Sequence, residues 1–149
     1  MRLRTITTGL HECLAERSAS EAFSVPGLLF EARTDLVSWP DAEAELAEAF
    51  TLGREAALAD APIVYLVRSA ALLGRSAPLD AAVATGLLGG ARAIAFERRK
   101  ARGYASVVAL GADVAPATVA DSIELLLAGR AANGQILTLG SDHLGAALP

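Results

Sequence analysis

Residues 62–67, Pro62-Ile63-Val64-Tyr65-Leu66-Val67, form an apolar, β-rich run with no polar residue alternating through it. A strand with one face in water alternates apolar and polar residues. An unbroken run instead needs cover on both faces, which parallel sheets with helical crossovers provide. Ala105-Ser106-Val107-Val108-Ala109-Leu110 is a second run of this buried type. Between them, Ser76-Ala77-Pro78 reads as a helix start, and the helix is expected to extend to about Lys100. That segment is apolar on nearly every side from Ala81 to Phe96 and carries Gly86, Gly89 and Gly90 in mid-helix. Each such glycine costs up to about 1 kcal/mol relative to Ala, which a chain tolerates where another backbone must come close. A helix lacking a polar face is usually covered on more than one side.

The remaining elements extend the alternation. Ser38-Trp39-Pro40-Asp41 has a capping Ser, a Pro in the first turn and an acid three residues after the Ser, so a helix is expected to about Asp60. Leu46, Phe50, Gly53 and Ala57 recur in it at helical spacing as its apolar stripe. Pro116 opens a helix over 117–129, with Val119, Ile123 and Leu126 on one side. Asn133-Gly134 is a turn, and 135–139 a last strand. Earlier in the chain, 4–9 reads as a short strand entering a turn, 10–22 as a weak helix, Val25-Pro26-Gly27 as a turn and 28–33 as a strand. The order of strands and long helices argues an α/β, Rossmann-like three-layer fold with a mainly parallel sheet, expected as a single domain over 1–149.

Several classes of function are disfavoured. With 13 Lys and Arg against 17 Asp and Glu, the net charge is −4, unlike the basic face of a nucleic-acid binder. The one dense basic spot, Arg98-Arg99-Lys100, reads as the cationic end of a helix. A single cysteine, Cys13, rules out an internal disulfide and suits a reducing compartment. No secretory leader or membrane span is expected, and a cytoplasmic location is the expectation.

The segment 60–140 resembles the C-terminal half of the short-chain dehydrogenase/reductase family. Ile63-Val64-Tyr65-Leu66-Val67-Arg68-Ser69 sits where that family has the strand ending in its catalytic Ser. Residues 84–97, ending Arg92-Ala93-Ile94-Ala95-Phe96-Glu97, are similar to the helix after its catalytic Tyr. Ala105 to Gly111, then Val119-Ala120-Asp121, Leu125-Leu126 and Asn133-Gly134-Gln135-Ile136-Leu137, follow the family's later strands and helix, and 43–58 fits the helix before the catalytic strand. The resemblance implies a Rossmann-like scaffold shortened in its N-terminal half.

The departures bear on function. The family's Tyr-x-x-x-Lys uses Tyr as the proton donor and Lys, on the same helix face, to lower its pKa. Counting back from Glu97 puts Asp80 at the Tyr position and Ala84 at the Lys position. Lys100 is the only lysine and Tyr65 and Tyr104 the only tyrosines, so no register restores the pair. The catalytic Ser position falls at Arg68 or Ser69. The catalytic Asn has no counterpart, because Asn133 is the only asparagine. Of the Gly-rich cofactor turn only Thr8-Gly9 is a possible remnant, and Leu110-Gly111 replaces the Pro-Gly beside the nicotinamide pocket.

Other groupings carry little. His11-Glu12-Cys13 is short of a closed zinc site, and no metal is expected. Ser141-Asp142-His143 holds the residue types of a hydrolase triad, but sequence neighbours do not adopt that geometry, so a polar tail is expected. Asp80 and Arg68 are a candidate surviving polar pair in an old cleft. Leu46, Phe50, Gly86, Gly89, Gly90, Ala93 and Phe96 are the candidate interface, because the resembled family pairs these two helices with their copies. The function expected is a non-catalytic subunit, with no cofactor, forming a homodimer, a homotetramer or a heteromer with an intact short-chain dehydrogenase, and touching neither nucleic acid nor membrane. The alternatives are a reduced NAD(P)-dependent oxidoreductase with a non-standard site, or a small-ligand or acyl-thioester binding module.

Overall fold

The structure is a computed structural model that describes residues 1–19 and 27–142. The proposed turn at Val25-Pro26, the last residues of the first expected helix and His143 lie outside the described residues.

Five parallel strands form one sheet in sequence order: β1 (Arg2–Arg4), β2 (Leu28–Glu31), β3 (Ile63–Arg68), β4 (Ala105–Leu110) and β5 (Ile136–Leu139). The central strands β3 and β4 are the two unbroken apolar runs, and both are buried on each face. Helix α1 (Thr8–Ala19) follows β1, α2 (Trp39–Leu58) follows β2, and a single turn α3 (Ser69–Leu72) with the long α4 (Pro78–Glu97) follows β3. Helix α5 (Pro116–Gly129) follows β4.

Alternate residues of each strand feed two cores. Ile63, Tyr65, Val67 and Val107 pack under α2 and α4. Leu29, Val64, Leu66 and Val108 pack under α1 and α5. Every crossover steps the same way across the sheet, so those on opposite faces have opposite hands. Two of the four are therefore left-handed, a hand seen in only about 2% of parallel crossovers. A sheet in sequence order has no other way to be covered on both faces.

Helix α2 begins as its sequence reads. Ser38 caps it, accepting from the Asp41 amide, with Pro40 in the first turn. Its buried face differs from the expected stripe. Ala42, Glu45, Ala49, Leu52, Gly53 and Ala57 face the sheet, while Leu46 is only partly covered and Phe50 is 70% exposed. Alanines fit close under the sheet, and the larger side chains turn outward. Helix α4 ends three residues earlier than expected, with Arg98 as its cap and a 3-10 turn over Arg99–Ala101. It is the one helix among the described residues long and apolar enough to cross a membrane, yet Val83, Ala84, Leu87, Leu88 and Ala91 pack it into the core as a layer of the fold. Asn133 pins the last turn, accepting from the Ala105 amide and donating to the Gly103 carbonyl.

Candidate functional site

In open α/β sheets ligands settle at the C-terminal ends of strands, in crevices where successive connections leave on opposite faces. Here that happens twice, between β1 and β2 and between β3 and β4.

The first crevice holds Glu31, the last residue of β2, which is buried. Its carboxyl group accepts from the backbone amides of Ile6 at 2.8 Å and Thr7 at 3.0 Å, and from the Thr7 hydroxyl at 2.5 Å. Those donors lead into the N-terminus of α1, where backbone amides and the helix dipole favour an anion. The chain's own acid already occupies them. Behind it Glu45, 1% exposed, accepts from Arg4 at 2.6 Å, the Arg33 side chain at 2.7 Å and the Arg33 amide at 2.9 Å. The Arg4 guanidinium also lies over the Phe30 ring. Gly9, the expected remnant of a cofactor turn, faces α5 instead: a Cβ there would meet Pro116 at 3.5 Å.

The second crevice is closed from the other side. Ser69, at the end of β3, donates to the Leu110 carbonyl and to the carboxylate of Asp142. Asp142, the last described residue of the expected polar tail, is therefore tied into the sheet edge. At Gly111 a Cβ would stand 3.1 Å from the Leu139 carbonyl and 3.3 Å from Asp142. Gly140, at φ +107°, lets its backbone lie against Gly111.

The helix that follows carries Asp80 near its start. Its two oxygens accept from the amides of Asp35 at 2.9 Å and Leu36 at 3.0 Å, which holds the turn after β2, where Asp35 has a positive φ of 60°. Arg68 makes no hydrogen bond or ion pair among the described residues, so the candidate Arg68–Asp80 pair does not form. The two backbone amides satisfy Asp80 instead. Ala84, one turn on, is core. His11 bonds Thr5 at 2.8 Å, and no group of three metal-ligating side chains occurs among the described residues.

The outer face of α2 and α4 contrasts with this edge. A groove of about 580 Å³ runs between the helices, lined by Leu46, Phe50, Tyr65, Gly86, Gly90 and Ile94 among others. Gly86 touches Leu46, whereas Gly89 and Gly90 face open space. Phe50, Ala93 and Phe96 are exposed, so the candidate interface residues share one outward face, with Leu46 partly covered. Tyr65 forms the groove floor, 3% exposed, and a Cβ on Gly53 would collide with its hydroxyl. Burial pushes that hydroxyl's pKa up to about 12, so it stays protonated and is no base at neutral pH.

Sequence reasoning missed Glu31 and Glu45, and named Asp142 without its bond to Ser69. The one available signal was positional: Glu45 recurs with Ala42, Ala49 and Leu52 at helical spacing, on the face that proved buried.

No family model matches the chain, and neither does any curated protein. Among solved structures it is similar to 4-hydroxyisoleucine dehydrogenase complexed with NADH and succinate. The TM-score is 0.61 and the identity 18%, over 87% of this chain and 73% of that one. That likeness shows the fold, a Rossmann-like α/β scaffold.

Proposed function

We propose that the chain is a non-catalytic, short-chain-dehydrogenase-like subunit that assembles through α2 and α4, with a second copy or with an intact dehydrogenase. The observation that carries this is the bare outer face of those helices, where an apolar groove lies open and Gly89 and Gly90 face open space. Exposed apolar patches of this kind mark interaction surfaces. The apolar outer side of α4 is then covered by protein rather than lipid.

The strand-end edge supports the other half of the proposal. A dinucleotide's diphosphate needs free amides at the first crevice, and Glu31 holds those of Ile6 and Thr7. A diphosphate there would meet like charge. The residues present do not fit that group. Neither Asp80 nor Ala84 supplies a proton donor with a lysine beside it, and Asp80 is engaged by backbone amides.

One observation favours a second reading, an NAD(P)-dependent oxidoreductase with a non-standard site. Arg68 stands without a partner among the described residues at a strand end beside Ser69, and the structural neighbour is an NADH-bound dehydrogenase. The two are separated by assaying purified protein with NAD(H) and NADP(H) against a panel of alcohols and ketones while recording Tm. The subunit predicts neither turnover nor a Tm rise, because only a ligand that binds the native state stabilises it. Turnover at an enzymatic rate would overturn it.

A further inference from the structure

We propose a binding site for a compact, multiply charged anion, a free or terminal diphosphate, at the opposite end of the sheet from the two crevices. It goes beyond the subunit role and does not depend on it.

A cleft of about 780 Å³ opens there, beside the N-terminal end of β4. That volume suits a small ligand. Arg99 and Arg102, from the turn between α4 and β4, line it together with Arg130, from the end of α5. Asp60, just past α2, is the one acid among the described lining residues, and Arg98 already bridges its carboxylate at 2.6 Å. The dense basic spot of the sequence is thus only part of a cluster that the fold completes. Arg130 donates to the carbonyls of Arg102 at 2.8 Å and Asp60 at 2.9 Å. Those bonds fix its guanidinium where three loops meet and leave most of its N–H donors over. Arg99 is held as well, 4.5 Å from the centre of the Phe96 ring.

Cations at helix C-termini are ordinary, because they complement the helix dipole. The ends of α2, α4 and α5 do meet here, but at roughly half a charge each they offset less than two of the three arginines. The backbone adds a second argument. Arg102 at φ 58° and Arg130 at φ 48° hold the left-handed conformation, where helices usually end on glycine because a side chain there is strained. A chain with 13 glycines has arginine at both positions. The Arg130 side chain gains its two carbonyl bonds from that placement. The Arg102 side chain, exposed, makes no hydrogen bond or ion pair among the described residues. A ligand in the cleft is what it can serve.

The chemistry of the lining selects the ligand. Guanidinium groups pair their N–H donors with phosphate oxygens, and several around one concavity suit more than one phosphate. A concave site favours a small anion over a nucleic acid or a lipid surface, and a chain of net charge −4 repels both of those. A nicotinamide dinucleotide fits poorly, because its diphosphate is esterified at both ends and carries fewer charges.

The test titrates inorganic pyrophosphate into the full chain by calorimetry and records Tm. Saturable binding with a Kd below about 1 mM and a rise in Tm are expected, and sulfate at matched ionic strength is expected to give neither. Arg102→Gly removes the free guanidinium and suits the positive φ, so its Tm without ligand is expected to hold or rise. Its affinity for pyrophosphate is expected to fall about tenfold or more. Arg75→Gln removes the same charge from the turn before α4, at the far end of the sheet, and is expected to leave that affinity unchanged. Pyrophosphate that does not bind, or binds no better than sulfate, overturns the site. So does equal affinity in wild type and Arg102→Gly, or an Arg75→Gln loss as large as that of Arg102→Gly. The account of the strand-end edge fails on a different result, a nicotinamide dinucleotide that raises the Tm of wild type and Arg102→Gly alike.

Discussion

The strand-end edge and the α2/α4 face belong to one small sheet and are finished in opposite ways. At the edge every crevice is closed by internal polar bonds: Glu31 on the Ile6 and Thr7 amides, Asp80 on Asp35 and Leu36, and Asp142 on Ser69. On the helix face large side chains point outward and glycines stand open. Buried polar groups are costly unless satisfied, so the edge is where the chain holds itself together. The helix face contributes little to the lone chain and is available to something else.

If that contrast is right, substitutions at the edge should lower stability and those on the face should change assembly. The largest effect is expected from Glu45→Ala, which removes the buried carboxylate that Arg4 and Arg33 share and leaves the Arg33 amide without its acceptor. Urea denaturation should show a loss of about 3–5 kcal/mol. Glu31→Ala leaves two amides of the β1–α1 turn without an acceptor, and about 3 kcal/mol should go by the same measurement. A loss under about 0.5 kcal/mol at either site, the range of an ordinary surface substitution, would mean the edge is not held as described.

An alkaline titration sharpens the picture of the groove floor. Tyr65 ionises near 10 when unfolded but at about 12 when folded, so the native state keeps a proton that the unfolded chain gives up. Its stabilising contribution is complete below pH 10 and is lost as pH rises through 12, amounting to roughly 2–3 kcal/mol. Denaturation at pH 9 and pH 12 should show this fall, and Tyr65→Phe should reduce it. Tyr104, also raised by burial, accounts for part of the remainder. The smallest effect on stability is expected at Phe50→Ala, within about 0.5 kcal/mol for the monomer, although it should weaken self-association.

How far the sequence was legible follows the same division. Strands β3 and β4 could be read because an unbroken apolar run has few other uses, and α2's start because Ser38 and Pro40 act locally. The buried face of α2 was misread at Phe50 because periodicity was weighted toward large apolar residues, whereas this core is closed by alanines under the sheet. The left-handed crossovers and the acids at the strand ends were out of reach. Glu31 meets Thr7, Asp80 meets Leu36 and Asp142 meets Ser69 across long stretches of chain, and no local pattern announces such pairs. The glycines of α4 drew attention in the sequence, but the close backbone approach expected there is not met within the chain: Gly89 and Gly90 face open space and Gly86 meets only the Leu46 side chain.

Native mass spectrometry of the purified chain, sprayed with a nicotinamide dinucleotide in excess, addresses both regions at once. A species of twice the chain's mass carrying no nucleotide is the predicted result. A monomer that retains the nucleotide would mean that the edge is open, and, if it also captures no intact dehydrogenase, that the helix face is idle, which would contradict both halves of the proposed role.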